Sequence, residues 1–195
     1  PSEWQYPPIN DNLAEILQTL YQQQFCYSKG TGNQGRLADL CDYSKTKVAV
    51  AELSLSTYYS TENMLPGKAG AVDAASLPTT AQATKCQIGD VLISNIRPYF
   101  KKIVYCHSDC GCSADVLCFT PEVSQLSAYL YSTLYVDSFF DFMVAGSKGT
   151  KMPRGDKQQI MAYVIHIPTE EEIRTFNKLA IPILGQMEST HRENM

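Results

Sequence analysis

Several kinds of chemistry can be sought in the side chains of this sequence, and all but one of them find no complete set of residues. Metal-dependent phosphodiester cleavage commonly places a carboxylate two residues before a lysine. None of the twenty Asp and Glu residues has Lys at that offset. A phosphate cradle of the G-x-x-x-x-G-K-[ST] type is absent. Gly30-x-Gly32-x-x-Gly35 has the letters of the dinucleotide fingerprint, but it follows a helical stretch where the fingerprint must follow a strand, so it reads as a flexible linker. Asn95-Ile-Arg-Pro98-Tyr99 superficially resembles the Asn-Pro-Pro-Tyr turn of amino-methyltransferases, and its two intervening residues break that turn. Cys106-His107-x-x-Cys110-x-Cys112 with Cys118 has the letters of a zinc site without its paired C-x-x-C spacing. The cysteines share even parity, as on one face of strands, and predict buried thiols. Cys106 and His107 are adjacent, so in a strand they point to opposite faces and make no catalytic pair. His166 lies in an apolar strand as a satisfied core histidine, and Arg154-Gly155-Asp156 is a chance tripeptide.

The remaining kind is cations and hydrogen-bonding groups on loops, the chemistry that holds phosphates and reads base edges. Residues 97–102 carry Arg97, Tyr99, Lys101 and Lys102, a charge of +3 beside an aromatic ring. Residues 146–157 carry Lys148, Lys151, Arg154 and Lys157 against Asp156, again +3. Residues 58–68 carry hydroxyls, Asn63 and Lys68. The whole chain is acidic at −4, which excludes a uniformly basic nucleic-acid binder and leaves room for a local basic face.

A length of 195 residues with 44% hydrophobic and 18% charged content predicts one globular domain. No apolar run reaches the ~20 residues of a membrane span, and no basic stretch precedes an apolar one as in a signal peptide. A cytoplasmic protein with seven reduced cysteines and no membrane association follows.

The centre of the pattern is residues 88–105. Gly89-Asp90 turns, Val91–Ile96 reads as a strand that Pro98 stops, and Lys102–Tyr105 reads as its return. Val48–Leu53, Val116–Phe119 (closed by Pro121) and Met161–Ile167 are further strands; Arg36–Tyr43 is a short strand or turn. Residues 1–8 read as extended, and residues 69–84 as an irregular surface segment. Residues 124–145 read as two helices with an aromatic core face. At the N-terminal end a helix is predicted from Asn12, with Leu13, Ile16, Leu17, Leu20 and Tyr21 as its stripe. Near the other end Thr169 and Glu172 form a capping box for a helix striped by Ile173, Phe176, Ala180, Ile183, Leu184 and Met187, kinked by Pro182. The two one-sided helices are natural partners. The fold class is therefore α+β, a mixed or antiparallel sheet domain with packed helices.

Gly89-Asp-Val-Leu-Ile-Ser-Asn-Ile-Arg-Pro-Tyr-Phe-Lys-Lys-Ile, Gly111-Cys-Ser-Ala-Asp-Val-Leu, Ser138-Phe-Phe-Asp-Phe and Gly149-Thr-Lys-Met-Pro-Arg-Gly occur in that order, before a strand ending at Pro168 and an acidic helix. Together with Tyr59-Ser-Thr-Glu-Asn-Met, this order resembles the target recognition domain of type I restriction–modification specificity subunits. Asn10–Tyr21 resembles the end of that family's conserved helical region, and residues 170–188 the start of the next. The resemblance covers nearly the whole chain. It implies a helix over 1–30, a DNA target recognition domain over 31–168, a second helix over 169–195, and an antiparallel coiled-coil-like pairing of the two helices.

Functionally, the resemblance implies a non-catalytic subunit that reads half of a split double-stranded DNA target and needs no cofactor of its own. Its helices would space two recognition domains and dock methyltransferase (modification) subunits, which carry the S-adenosylmethionine chemistry, while a restriction/motor subunit cleaves. The family normally carries two recognition domains and this chain one. A half-size subunit, working as a homodimer, or a fragment is expected. By position the DNA-contacting residues are Ser60, Thr61, Asn63, Lys68, Arg97, Tyr99, Lys101, Lys148, Lys151 and Arg154. The competing expectation is a protein–protein module or decoy acting through its helix pair.

Overall fold

The computed structural model describes residues 8–27 and 34–193. In chain order they form α1 (Pro8–Tyr21) continuing into a π-helical segment (Gln22–Tyr27), β1 (Gln34–Arg36), β2 (Cys41–Tyr43), β3 (Lys47–Ala49), β4 (Tyr58–Tyr59), β5 (Gln82–Cys86), β6 (Val91–Ser94), β7 (Ile103–Tyr105), β8 (Cys110–Cys112), β9 (Val116–Pro121), α2 (Ser127–Tyr135), α3 (Asp137–Ala145), α4 (Lys157–Met161), β10 (Val164–His166) and α5 (Glu170–Glu193).

The predicted hairpin is the middle of the molecule. β6 pairs with β7 on one side and β9 on the other, and β2 completes an antiparallel sheet of order β2-β9-β6-β7. Side chains alternate across a strand, and here both faces are buried. Val91, Ile93, Ile103, Leu117 and Phe119 point into one core. Leu92, Val104, Val116 and Cys118 point into another. Burial on both faces explains why β6 is an unbroken apolar run and not an alternating one.

The first core is covered by helices. Leu17, Tyr21 and Phe25 from the N-terminal helical segment pack with Tyr129 of α2 and Phe176 of α5. The Phe25 ring lies 4.7 Å from Tyr129 and 5.3 Å from Phe176, both edge-on. The Gln24 side chain donates to the Glu172 carbonyl at 2.7 Å, so the C-terminal end of the N-terminal segment meets the first turn of α5. The predicted partnership of the terminal helices is present, and α2 shares their core. The second core lies beneath a mixed sheet of order β3-β5-β8-β4, in which β4 runs parallel to β8. A two-stranded ribbon, β1 with β10, ties the two ends of the domain.

α5 starts where its sequence says it should. Thr169 N–H donates to Glu172 Oε2 at 2.7 Å, and Glu172 N–H donates to Thr169 Oγ1 at 3.3 Å, a reciprocal capping box. Pro182 lies inside the helix. His166 is half-buried, 3.3 Å from Glu172 and beside the Phe25 ring, as a satisfied histidine should be.

Several expectations are corrected. α1 begins at Pro8, so Asn12 is inside the helix and not its cap. The segment 69–84 is not wholly irregular: it runs into β5, whose ladder to β8 carries more weight than its Ala- and Thr-rich composition. Tyr58–Tyr59 is a strand rather than loop. The strand expected over Val48–Leu53 leaves the ladder at Ala49 for a 3-10 turn. Asp156 accepts from the backbone N–H of Gln158 and Gln159 and starts α4, where a loop running into a strand at Met161 was expected. Residues 1–7 of the extended segment, and Gly30 and Gly32 of the glycine motif, lie outside the described residues.

Candidate nucleic-acid interface

Three separate stretches of chain supply the cationic and hydroxylated loops, and backbone hydrogen bonds join them into one surface. From the loop after β4, Gly67 N–H donates to the Phe100 carbonyl and Lys68 N–H to the Lys101 carbonyl, each at 2.8 Å. The Lys102 ammonium donates back to the Thr61 carbonyl at 2.6 Å. On the other side of the hairpin tip, Arg97 N–H donates to the Pro153 carbonyl at 2.8 Å. The Arg97 guanidinium lies 3.5 Å from the Lys151 carbonyl. Lys148 and Arg154 exchange two backbone hydrogen bonds of 2.9 Å that close the loop between them, and Gly149, at φ +101°, makes its turn. A Cβ on Gly155 would stand 2.8 Å from Asn95 Oδ1 and 2.9 Å from Ile160 Cδ1, so a larger residue here would push these side chains aside where the loop lies against the end of β6.

The hairpin tip is a 3-10 turn, Pro98–Phe100, with a left-handed residue on each side. Arg97 (φ 51°) and Lys101 (φ 50°) are not glycine, and neither is Lys68 (φ 66°). Non-glycine residues in this region cost on the order of 1–2 kcal/mol each and persist where the surroundings force them. Here the forcing is the set of cross-loop hydrogen bonds.

Carboxylates position four of the cations, three of them from a distance in sequence. Asp137, at the start of α3, accepts from Lys68 at 2.7 Å and Lys101 at 2.9 Å. These two ammonium groups hold its carboxyl below the usual carboxylate range. Lys148 pairs with Asp156 at 2.6 Å and Arg154 with Asp115 at 2.9 Å. Lys68 also lies over the Tyr135 ring, 4.7 Å from its centroid. Burial pulls the Lys102 ammonium below its ordinary range. Arg97 and Lys151 have no carboxylate partner among the described residues. The three loops and the carboxylates that anchor them therefore carry eight cations, Lys157 included, against four carboxylates, Glu62, Asp115, Asp137 and Asp156, and are net positive on an acidic protein.

The ten residues expected at the interface divide by geometry. Tyr99, Lys148, Lys151 and Arg154 are exposed at the crest. Arg97, Lys101, Ser60 and Thr61 are half-buried beside it. Lys68 is mostly covered, its side chain 14% exposed. Asn63 is corrected: it is 5% exposed, its amide donates to the Tyr58 and Val72 carbonyls, and its oxygen accepts from Ser60 N–H. It shapes the loop from within and presents nothing to a base edge. Phe100, 40% exposed beside Tyr99, belongs with the crest and was not among the ten. Its adjacency to Tyr99 was the available signal. The anchoring Asp115, Asp137 and Asp156 had none of comparable strength, because Asp137 lies 69 and 36 residues from its two lysines.

No group of three or more metal-ligating side chains among the described residues has the geometry to hold an ion. The Cys106 and Cys110 sulfurs are 3.6 Å apart, and this hydrogen bond together with burial pushes the Cys106 thiol well up. This cluster is core.

At the level of sequence, no family model and no curated protein matches the chain. Solved structures do match. The HsdS subunit from Thermoanaerobacter tengcongensis superposes with a TM-score of 0.54 at 17% identity, over 95% of this chain and 46% of that one. The type I restriction–modification S subunit from M. genitalium gives 0.61 at 12% identity, over 94% and 51%. The fold is that of half a type I specificity subunit. A third structure, from work on complex assembly and conformational transition of the type I R-M system, gives 0.55 at 16% identity, over 94% and 48%. The chain thus spans about half the length of each of these three chains, and its fold is the one expected from the order of motifs along the sequence.

Proposed function

We propose that this chain recognises a specific double-stranded DNA sequence as the specificity component of a type I restriction–modification system. The observation that carries this reading is the joining of three polar loops, two of them net positive, into one surface by backbone hydrogen bonds, on a fold shared with specificity subunits. Arg97, Lys148, Lys151 and Arg154 would hold phosphates, with Arg97, Tyr99 and the Ser60 and Thr61 hydroxyls near base edges. Lys68 and Lys101 would act mainly by positioning the loops. Lys148 and Arg154, which already have carboxylate partners, would exchange them for phosphates on binding, giving a salt-dependent affinity.

In this reading residues 31–168 are the recognition domain, and residues 1–30 and 169–195 form an antiparallel coiled-coil-like spacer. The spacer docks modification methyltransferase subunits, and a restriction/motor subunit joins the assembly. If the chain works as a half-size subunit, two copies pair to read a split target. The subunit carries no catalysis and no cofactor, and its place of work is the cytoplasm, where the DNA is. No described helix is long and apolar enough to cross a membrane.

Selection from random duplex pools at two salt concentrations, with a modification methyltransferase present, tests the proposal. Enrichment of one motif, lost on Lys151→Glu, is expected. Absence of any enriched motif sinks it. The second reading, a protein module working through its helix pair, is favoured by exposed Ile16, Leu179 and Ile181 on α1 and α5. It predicts that charge reversal at Lys148, Lys151 and Arg154 leaves function intact.

A further inference from the structure

The most exposed feature of the hairpin tip is apolar. Tyr99 and Phe100 are 49% and 40% exposed, with their rings 4.8 Å apart at a tilt of 54°. Met152, 51% exposed, lies one residue before the Pro153 that hydrogen-bonds to Arg97. A surface loop that only needed solubility would not hold two aromatic rings in water. Nor is the tip free to fold them away. Pro98 is buried beneath it, left-handed Arg97 and Lys101 bracket it, and the Gly67, Lys68 and Pro153 backbone tether it from both sides. Backbone strain at a protruding, over-determined turn is a mark of a site shaped before its ligand arrives. Cations surround the rings, so the surface that meets them should be anionic at its edges and apolar between. Stacked base pairs flanked by phosphates have that composition.

We propose that Tyr99 and Phe100 form an aromatic wedge that presses between two base pairs of a bound duplex, so that part of the target is read through the ease of unstacking one step. This rests on the DNA-recognition reading and adds a deformability readout to it. Wedging costs a few kcal/mol per step and varies with sequence, which generates specificity where no hydrogen bond reaches a base.

The test uses the full chain, with the methyltransferase present, on a duplex selected by the wild type. A single mismatch is walked through every position. The wild type is expected to bind several-fold more tightly when the mismatch falls at one particular step, because unstacking there is already done. Phe100→Ala should bind the intact duplex roughly ten-fold more weakly. It should also lose the mismatch gain, and Phe100→Leu should recover part of both. Lys151→Glu should weaken binding at all positions and keep the gain. Thermal melting of the Phe100 variants separates misfolding from lost contact. Phe100→Ala that melts like the wild type, binds the intact duplex as tightly as the wild type does and keeps the mismatch gain overturns the wedge alone. So does loss of methyltransferase association with DNA binding unchanged. A wild type that selects no duplex overturns the wedge together with the DNA reading.

Discussion

On one face of the central sheet the packing partners are aromatic rings; on the other they are thiols. Phe119 meets Phe139 edge-on at 6.4 Å, and Tyr21, Phe25, Tyr129 and Phe176 continue the cluster out to α5. Across the sheet, Leu92 and Cys118 meet Cys86, Cys106, Cys110, Cys112 and Met64. Rings bury large areas each and suit the gap between a sheet and a layer of helices. Thiols are small and polarizable, and suit two sheets drawn close together. The interface loops are fastened to both sides. Met64 sinks the loop after β4 into the thiol core, while Asp137, on the ring side, reaches Lys68 and Lys101. A surface tied to two different cores is held at two points, and its geometry survives local motion in either.

The comparison breaks most visibly at the rings. Phe119→Ala should cost about 3–5 kcal/mol, read as a shift in the urea midpoint. Cys112→Ala, on the other face, should cost about 1 kcal/mol, since it removes one sulfur from a compact cluster. Equal losses would show that the two faces do not differ in how they hold the sheet. A thiol reagent should modify exposed Cys26 rapidly in the native protein and leave the thiol face unmodified until denaturant is added.

Two carboxylates sharpen the contrast through pH. Asp90 is buried on the thiol side, accepting from Gln87 N–H at 2.8 Å and the Cys118 thiol at 3.1 Å. Burial raises it above the ordinary carboxylate value. The folded state therefore binds its proton more tightly than the unfolded chain. Wild type should lose stability relative to Asp90→Asn as pH rises from about 4 through the raised value. Asp137, exposed and paired, shifts the other way. Its contribution is present above about pH 4 and is lost as pH falls through its lowered value. Asp137→Asn should remove only about half a kcal/mol, because solvent screens the pairs. Melting curves across pH 2–7 for both variants test the opposite signs.

How much was readable in advance follows the range of the forces. The hairpin at 88–105, the paired helices of 124–145, the capping box at Thr169 and the even parity of the cysteines all arise from neighbours a few residues apart, and all are found. β5 was not legible, because its residues are Ala, Thr and Lys between a Gln and a Cys, and only the β3 and β8 ladders make them a strand. Asn63 reads as a recognition amide by residue type, and the tertiary turn consumes it.

The sequence alone determined the elements with local causes and the presence of cationic, hydroxylated loops on an acidic chain. It also determined an order of motifs resembling a specificity subunit. Only the tertiary structure decided which of those side chains reach the surface, because hydrogen bonds such as Lys68 N–H to Lys101 and ion pairs such as Asp137 with its two lysines join residues tens of positions apart. Residue types fix what a group can bond to. The closing of distant loops on one another fixes whether that capacity is spent inside the protein or left for a ligand.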